Sequence, residues 1–357
     1  MSDIIKNNDN HPGYNLAIIG ATGNVGRELL EILYERNFPV KSLSALASEK
    51  SVGIKLPYGE SNEIEVKALS RFNFEGTDIV LSSPGSEVSK QFSPIAAKAG
   101  AVVIDNTSQF RMDPDIPLIV PEVNPGELSL YKKKGIVANP NCSTIQMVVA
   151  LKPLHDTFKI KRVIVSTYQS TSGAGKDGMD ELFNQTKGVY ANDLLEKTKN
   201  NFTKQIAFNV IPHIDSFMDK GLTKEEWKME METKKILDSS IKVHANCVRV
   251  PTFIGHAEFI NVETELPIDY ESAKSVLSDA PGLIVVDHRT NEGYVTPSEA
   301  AGEDAVYISR IREDASALNG ISFWCVADNL RKGAALNTVQ IAEVLSEEYL
   351  RNKKSLR

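Results

Sequence analysis

The sequence lacks the features that mark membrane-embedded, secreted and nucleic-acid-binding proteins. No apolar stretch approaches the roughly 20 residues that a helix needs to cross a bilayer, and the N-terminal residues have no apolar core of the kind found in secretory signals. Cysteine is sparse, and 3 cysteines among 357 residues form no disulfide framework, which favours a reducing cytoplasm. Lys and Arg number 40 against 47 Asp and Glu, so the basic excess that nucleic-acid binding requires is missing. We therefore expect a cytoplasmic protein whose partners include neither a membrane nor a nucleic acid.

Histidine and cysteine are also too scattered for a metal site. The 6 histidines and 3 cysteines lie far apart and form none of the short spacings that bind zinc. We expect no bound metal.

The chain does contain enough apolar material for two domains. Hydrophobic residues make up 41% of its 357 residues, and a domain usually takes about 100–200 residues. Up to residue 140, short apolar runs alternate with helical patterns, which predicts an α/β domain with a Rossmann-type parallel sheet. Beyond it the strand candidates are longer and alternate more, which predicts an α+β domain with a mixed or antiparallel sheet. The predicted strands are Asn15–Ile19, Thr77–Ser82, Ala101–Asp105 and Leu118–Val120 in the first domain and Arg162–Tyr168, Cys247–Phe253 and Phe259–Leu266 in the second.

A glycine-rich turn joins the first predicted strand to the first predicted helix. Glycine at three-residue intervals lets the backbone approach a pyrophosphate, and the free N–H groups of the helix favour its negative charge. The predicted dinucleotide contacts on this turn are Gly20, Thr22, Gly23, Asn24, Val25 and Gly26. The alternative is a tight turn that binds nothing.

The end of the second strand bears on the choice between NADP and NAD. NAD enzymes place an acidic residue there to hold the ribose hydroxyls. Here Ser48, Lys50 and Ser51 could instead bind the 2′-phosphate of NADP, while Glu49 keeps NAD open. The sequence thus favours NADP as the cofactor.

Cys142 stands in a polar segment, Asn139–Thr144, directly before an apolar helical run. A cysteine at a helix N-terminus has its thiolate stabilised by the free amides and the helix dipole, and the same amides with Asn141 could stabilise an oxyanion. The alternative is a buried structural cysteine, which better suits Cys247 and Cys325 in their strand-like runs. Cys142 is therefore the candidate nucleophile, and a general base must accompany it.

Six segments together resemble the aspartate-semialdehyde dehydrogenase family, in its bacterial branch. They are GATGNVG, NPNCST, TYQSTSGAG, EEWKME with ETKKIL, CVRVPTFIGHAE and DNLRKGAA. The resemblance runs from about Asn15 to Glu343, and the family is similar to glyceraldehyde-3-phosphate dehydrogenase in fold and thiol chemistry. It implies a leader over 1–14, an NADP-binding domain over 15–140 and 329–357, and a catalytic and dimerisation domain over 141–328.

The resemblance also implies a role for each matching residue. Cys142 would be the nucleophile and His256 the acid/base. Gln169 would orient the substrate, Arg249 would bind its α-carboxylate and Glu225 its α-ammonium. The phosphate site would consist of Arg111, Asn141 and Lys228, and the nicotinamide end of the cofactor would meet Ser172, Gly173 and Asn329. Where this chain has Lys50, the family often carries Arg.

Residue chemistry agrees with several of these roles. Arg249 interrupts an apolar strand, and its planar fork matches a carboxylate. Thr223 and Glu226 form a capping-box pattern, which gives Glu226 a structural role. Glu225 and Lys228 are three residues apart and share a helix face with Glu232. A solvated charged helix face is the alternative for that pair. For Arg111 the alternative is an ion pair with a nearby aspartate.

The implied reaction is NADPH-dependent reductive dephosphorylation of L-aspartyl 4-phosphate to aspartate semialdehyde. It would pass through a thioester on Cys142 and serve lysine, threonine, methionine and diaminopimelate synthesis. The partners would be this small-molecule substrate, inorganic phosphate and further copies of the chain in a homodimer or homotetramer. Two alternatives stay open, an N-acetyl-γ-glutamyl-phosphate reductase and a non-catalytic dinucleotide-binding sensor. Because a free α-ammonium needs an acidic partner, Glu225 favours the aspartyl substrate.

Overall fold

The computed structural model describes residues 13–191, 201–290 and 292–351 of the chain. Residues 1–12 of the predicted leader lie outside them. Tyr14, which we also placed in the leader, is the first residue of a strand and is 2% exposed. Its hydroxyl donates to the backbone carbonyl of Ser346 at 3.0 Å, so it is part of the folded domain.

Two compact units divide the chain. The first consists of the described residues up to Pro140 together with those from Ala334 onward, and the second runs from Asn141 to Gly333. Asn329 therefore lies in the second unit, whereas the family resemblance implies a boundary before it.

A seven-stranded sheet forms the centre of the first unit. Its strands are β1 (Tyr14–Ile19), β2 (Val40–Ala47), β3 (Lys55–Tyr58), β4 (Asn62–Ala68), β5 (Ile79–Ser82), β6 (Val102–Asp105) and β7 (Ile136–Ala138). Their order is β3-β4-β2-β1-β5-β6-β7, and all neighbours are parallel except β3 and β4. This arrangement confirms the predicted Rossmann-type sheet. β1, β5 and β6 are almost continuously apolar and buried, as strands covered on both faces must be.

The described part of this unit has three α-helices. They are α1 (Asn24–Glu35) and α2 (Ser86–Lys98), together with Leu336–Val344, the eighth α-helix among the described residues, which is named α8. The apolar residues of α1 recur at helical spacing, so that Leu29, Leu30 and Leu33 are buried in one core cluster with residues of β1 and α8.

One predicted strand of the first unit is wrong. Leu118–Val120 forms no strand, and Leu118 makes only an isolated bridge to Ala138. The edge strand is β7, which we did not predict because 3 residues are too few to show a period.

A six-stranded mixed sheet forms the second unit. Its strands are β8 (Ile160–Gln169), β9 (Lys242–Arg249), β10 (His256–Thr264), β11 (Leu283–Val285), β12 (Val306–Glu313) and β13 (Gly320–Ala327). The order is β11-β12-β13-β10-β8-β9; β8 is parallel to β9 and β11 to β12, and the other pairs are antiparallel. The predicted mixed sheet is confirmed. The strand predicted at Cys247–Phe253 instead ends at Arg249.

The α-helices of the second unit carry several of the candidate residues. They are α3 (Cys142–Phe158), α4 (Gly175–Ala191), α5 (Lys224–Ile236), α6 (Tyr270–Ser278) and α7 (Pro297–Ala300). The predicted capping box at the start of α5 is present, with the Thr223 hydroxyl accepting from the Glu226 amide and the Glu226 carboxylate accepting from the Thr223 amide. It fixes the start of α5 and leaves Glu225 and Lys228 to face the site. No described helix is long and apolar enough to cross a membrane.

Candidate active site

Two of the three glycines in the glycine turn of the first unit lie too close to other backbone atoms to carry a side chain. Gly20 has a φ of +82°, and a Cβ there would lie 2.6 Å from the Ser83 carbonyl oxygen. A Cβ on Gly26 would lie 2.3 Å from the Gly20 carbonyl oxygen. Gly23 differs, because a Cβ there would meet only that same oxygen, at 3.4 Å. The space beside Gly23, at the N-terminus of α1, is thus open to a ligand.

A cavity of about 520 Å³ lies beside this turn. Its lining residues are Gly20, Thr22, Gly23, Ala47, Ser48, Glu49, Leu69, Ser70, Ser83, Pro84, Val88 and Phe92. The structure thus brings four predicted cofactor residues to one cavity, namely Gly20, Thr22, Gly23 and Ser48. The other predicted contacts here, Asn24, Val25, Gly26, Lys50 and Ser51, do not line it. A dinucleotide fits this open turn and the adjoining cavity.

Glu49, which lines the cavity and kept NAD open in the sequence, is already engaged. Its carboxylate accepts hydrogen bonds from Ser70 and from the Arg71 guanidinium, the latter at 2.6 Å. The Ser70 hydroxyl, with help from Arg71, holds the pKa of Glu49 below its usual range. We missed Ser70 and Arg71 because they follow β4, which we did not predict although Ile64, Val66 and Ala68 alternate there with charged residues.

Cys142 is the first residue of α3 and the only half-buried cysteine of the three, the others being buried. Asn141 caps the helix, because its Oδ1 accepts from the amides of Ser143 and Thr144 at 3.0 and 3.2 Å. The predicted position at a helix N-terminus is confirmed. Burial raises the pKa of the Cys247 and Cys325 thiols, so neither is an activated nucleophile.

Glu225 is the centre of the polar cluster beside this helix start. Its Oε1 accepts from the Asn141 side chain at 2.9 Å and from the Gln169 side chain at 3.2 Å, while Oε2 accepts from Lys228 at 3.1 Å. Burial raises the pKa of this 5%-exposed carboxyl, but Lys228, Asn141 and the Arg249 charge outweigh it, so the pKa is lowered. Glu225 is a buried carboxylate, and Lys228 additionally contacts Asp215 at 2.7 Å.

Arg249 ends β9 and is buried beside the same cluster. Its Nη1 donates to the Ser170 carbonyl oxygen at 2.6 Å, and its guanidinium lies 5.9 Å from the centre of the Phe202 ring. Burial lowers the pKa of Arg249, while the charges of Glu225 and Cys142 act in the opposite direction. A guanidinium has five donors, so the bond to Ser170 leaves donors for a substrate carboxylate.

His256 is the first residue of β10 and is 0% exposed. Burial and the nearby Arg249 charge lower its pKa to about 3, so the ring is neutral at physiological pH. Nδ1 accepts from the Ser170 amide at 3.1 Å, which places the ring proton on Nε2. Nε2 has no hydrogen-bond partner in the described part of the chain. The site therefore contains a buried N–H that can donate to a substrate.

Gly173, Ser172 and Asn329, predicted at the nicotinamide end of the cofactor, lie next to His256. A Cβ on Gly173 would stand 2.8 Å from Arg249 Nη1 and 3.2 Å from His256 Nε2. Asn329 Oδ1 accepts from the Ser170 and Ser172 hydroxyls and from the Gly255 amide, at 3.1, 3.0 and 2.9 Å. Asn329 thereby fixes the turn that carries Ser170.

Arg111 belongs to the first unit. Its side chain is 7% exposed and donates to the carbonyl oxygens of Asn139 at 2.9 Å and Asn106 at 2.8 Å. Asp113 and Asp115, the aspartates of the alternative ion pair, contact Lys134 and Lys133. The phosphate role of Arg111 stays a prediction.

Three neighbours of the predicted residues were given no role in the site by the sequence reasoning. Ser170 contacts His256, Arg249 and Asn329 as described above, although it lies in a motif we had identified. Glu232 accepts from the backbone amide of Asn141 at 2.6 Å and so holds the residue before the nucleophile. A Cβ on Gly333 would stand 2.9 Å from the Cys142 Cβ, so only glycine fits there without a shift. No group of three or more metal-ligating side chains occurs among the described residues.

Comparisons with known proteins cover both units. The pattern of the family described as "Semialdehyde dehydrogenase, NAD binding domain" matches residues 15–131, and that of "Semialdehyde dehydrogenase, dimerisation domain" matches residues 151–332. An aspartate-semialdehyde dehydrogenase from Aquifex aeolicus is 55% identical over 340 residues, which is 95% of this chain and 99% of the relative.

Solved structures agree with these matches. Aspartate semialdehyde dehydrogenase II from Vibrio cholerae, in a crystal structure complexed with ASA, is 50% identical with a TM-score of 0.91, over 94% of this chain and 99% of that chain. Aspartate semialdehyde dehydrogenase with NADP from Candida albicans is 26% identical with a TM-score of 0.73, over 94% and 98% of the two chains.

Proposed function

The chain belongs to the aspartate-semialdehyde dehydrogenase family, and we propose that it reduces L-aspartyl 4-phosphate to L-aspartate 4-semialdehyde through a thioester on Cys142. One observation of the site carries the mechanism. The second unit combines a cysteine at a helix N-terminus with a neutral histidine whose Nε2 is buried and unpartnered among the described residues. The product would enter lysine, threonine, methionine and diaminopimelate synthesis.

The glycine turn and its cavity would hold NADP. The open face of Gly23 and the N-terminus of α1 suit the pyrophosphate, with Thr22, Asn24, Val25 and Gly26 completing the turn. Ser48, Lys50 and Ser51 would meet the 2′-phosphate, because Arg71 already neutralises Glu49. When bound, the reduced cofactor supplies the hydride.

Cys142 and its supporting residues would carry out the covalent step. The thiolate attacks the acyl carbon, a carbon–sulfur bond forms, the carbon–oxygen bond to phosphate breaks and inorganic phosphate leaves. Asn141 and Glu232 hold the start of α3, so that Cys142 keeps its place at the helix N-terminus, where the helix dipole stabilises the thiolate.

The buried charges would select an amino acid as the acyl group. Arg249 binds the α-carboxylate with the donors that Ser170 does not use, and Glu225 receives the α-ammonium on its remaining lone pairs. Gln169 orients the chain between them. Lys228, Arg111 and Asn141 would take the leaving phosphate. An acetylated amine carries no positive charge for the Glu225 carboxylate to pair with, which argues against N-acetyl-γ-glutamyl phosphate.

His256 would serve the oxygen of the acyl carbon. Nε2–H donates to that oxygen as negative charge develops on it during hydride addition. It releases the oxygen when the carbon–sulfur bond breaks and the aldehyde forms. The Ser170 amide on Nδ1 keeps the proton on Nε2 through both steps, and Ser172, Gly173 and Asn329 keep the ring in place while bordering the nicotinamide.

The assay for this proposal is reduction of NADP by aspartate semialdehyde, followed at 25 °C with and without inorganic phosphate. We expect reduction that depends on phosphate, and faster turnover with NADP than with NAD. N-acetylglutamate semialdehyde is the matched competitor substrate. Equal or faster turnover of that compound, or none of aspartate semialdehyde, would contradict the proposal, and the latter would revive a non-catalytic sensor.

We further propose a homodimer formed through the exposed face of the mixed sheet. Tyr168, Phe259 and Trp324 lie on the neighbouring strands β8, β10 and β13, with ring centres of Trp324 5.7 Å from Tyr168 and 5.0 Å from Phe259. Tyr168 is 37% exposed and the other two rings are half-buried, and aromatic side chains at the surface are typical of a protein interface. A homotetramer is the second candidate assembly, and a reducing cytoplasm suits an enzyme that depends on the Cys142 thiol.

A further inference from the structure

A second buried carboxyl group, Glu258, lies two residues beyond His256 on β10. Residues two apart on a strand point to the same face, so the two side chains share one side of the sheet. Glu258 is 0% exposed, and neither of its carboxyl oxygens has a hydrogen-bond partner within the described residues. No part of the mechanism above uses it.

The surroundings of Glu258 favour its protonated form. Burial raises the pKa of its carboxyl well above the usual range; the Gln146 side chain opposes this rise, and the Glu225 charge adds to it. The titratable groups coupled to it are Glu225, Cys247 and Cys325, and none of them is a cation. A neutral carboxyl carries one O–H, and a buried O–H requires an acceptor.

Gln146 supplies the matching acceptor. It lies four residues after Cys142 on α3, and therefore on the same helix face. Its Nε2 donates to the backbone carbonyl of His256 at 3.2 Å, while its Oε1 is buried and lacks a partner in residues 13–191, 201–290 and 292–351. Gln146 thus joins the helix of the nucleophile to the strand that carries His256.

The two unsatisfied groups complement each other. Resting on the function proposed above, we propose that protonated Glu258 donates its O–H to Oε1 of Gln146, and that this pair positions His256 relative to Cys142. The Gln146 side chain lies near enough to act on the pKa of Glu258, and the terminal torsions of both side chains have broad minima about which they rotate to form the bond. Glu258 and Gln146 are positioning residues, because they act on the reaction through His256.

Three variants test the pair. Glu258→Gln keeps a neutral donor of the same shape, whereas Glu258→Leu and Gln146→Leu remove one partner each. We expect Glu258→Gln to retain kcat within about 3-fold, and each leucine variant to lose about 10- to 100-fold in kcat because His256 is misplaced. KM for the semialdehyde and for phosphate should not change, since Arg249, Glu225 and Lys228 are untouched. The double leucine variant should be no slower than either single one.

Ile260→Val is the matched control for core damage. It shortens a buried side chain on the same face of β10, and we expect wild-type kcat from it. Thermal unfolding of every variant separates a loss of positioning from a loss of fold. If Glu258→Leu does not fold, Gln146→Leu and Glu258→Gln still decide the question.

The result is separable from the fate of the proposed function. If the wild type shows no phosphate-dependent reaction, the function fails, and the ¹⁵N resonances of the His256 ring become the test. Glu258→Gln should then keep the wild-type resonances and both leucine variants should shift them. Wild-type kcat or unshifted resonances in both leucine variants would overturn the pairing. A Glu258→Gln variant as impaired as Glu258→Leu would overturn the neutral hydrogen bond.

Discussion

Single residues set the charge balance of the site, and Lys228 illustrates it. Its ammonium contacts two carboxylates, Asp215 at 2.7 Å and Glu225 at 3.1 Å. Burial raises the pKa of both acids, but Lys228 and other partners lower it by a larger amount. The pKa of each acid is therefore below its usual value, and both are ionised at neutral pH. To bind the leaving phosphate, Lys228 must exchange one carboxylate, and Asp215 is the more exposed of the two.

We predict that Asp215→Asn tightens phosphate binding. The variant keeps the shape of the side chain but removes the charge that competes for Lys228, so KM for phosphate should fall by about 3- to 10-fold, a typical effect of one partly exposed charge. The measurement is KM for phosphate in the NADP-reducing direction. Asp219→Asn, which removes an exposed charge from the same segment, is the control. A raised KM in Asp215→Asn would mean that Asp215 assists phosphate binding.

The buried His256 makes stability depend on pH. Its pKa is about 3 in the folded state against 6.5 for an ordinary histidine. As pH falls below about 6.5, the unfolded chain gains a proton that the folded chain does not, so the folded state loses stability. The contribution of the neutral His256 ring to stability is therefore fully present above the ordinary histidine pKa of 6.5 and is lost as the pH falls below it.

We therefore predict that His256→Gln resists acid better than the wild type. Between pH 7 and pH 5 the free energy of unfolding should fall by about 2 kcal/mol more in the wild type than in the variant. Urea unfolding at both pH values measures this difference. His244→Gln, on an exposed position of β9, is the control. Parallel pH curves for wild type and His256→Gln would show that folding does not lower the pKa of His256.

Some residues of the site could be predicted from the sequence and others could not, because their contacts differ in sequence separation. Asn141, Cys142 and the Thr223–Glu226 capping box depend on contacts within three residues, so the local pattern reveals them. The bond between Gln146 and His256 joins residues 110 apart in sequence. The sequence around Gln146 does not indicate a contact with His256, nor does the sequence around His256 indicate one with Gln146. The contact between Gly333 and Cys142 is equally invisible in the local sequence.

At the scale of elements, the glycine turn separates structural from ligand-binding roles. Gly20 and Gly26 are required by the packing of β1 against α1, since a Cβ on either would overlap backbone atoms. Gly23 has room for a Cβ within the chain itself. A glycine that the fold does not require is best explained by a ligand that approaches the backbone closely.

We predict that Gly23→Ala and Gly26→Ala fail in different ways. Gly26→Ala should lower the melting temperature, because a contact of 2.3 Å forces the turn apart. Gly23→Ala should melt like the wild type and lose at least about 10-fold in NADP affinity, because its methyl group occupies the place of the pyrophosphate. Calorimetric titration with NADP and thermal unfolding give both quantities. Unchanged NADP affinity in Gly23→Ala would place the pyrophosphate elsewhere.

Element boundaries followed the same division between local and distant signals. The long strands β8 and β10 differ from their predicted ends by only a few residues, because their apolar pattern is long. Residues 118–120 are apolar and look like a strand, but β7 pairs with β6 instead and leaves Leu118 a single bridge. Whether such a short segment forms a strand depends on which strand it pairs with, and the local sequence does not reveal that partner.

At the scale of the whole molecule, the aromatic face of the mixed sheet predicts the assembly. Phe259→Glu places a charge between Trp324 and Ser166, its neighbours on β13 and β8. Burying that unpaired charge in an interface is costly, so we expect a mass of one chain, 39.3 kDa, by light scattering where the wild type gives twice that value. Tyr190→Glu, on a residue 79% exposed on α4, is the control. A dimer in Phe259→Glu would contradict this interface.

The covalent role of Cys142 is tested most directly by mixing the enzyme with aspartate semialdehyde and NADP in the absence of phosphate. The wild type should form one equivalent of NADPH per active site and retain an aspartyl group on Cys142, which mass spectrometry detects and added phosphate releases. Cys247→Ala should behave like the wild type, and Cys142→Ser should give neither the burst nor the adduct. A burst of NADPH in Cys142→Ser, or an adduct on any other residue, would contradict the thioester mechanism.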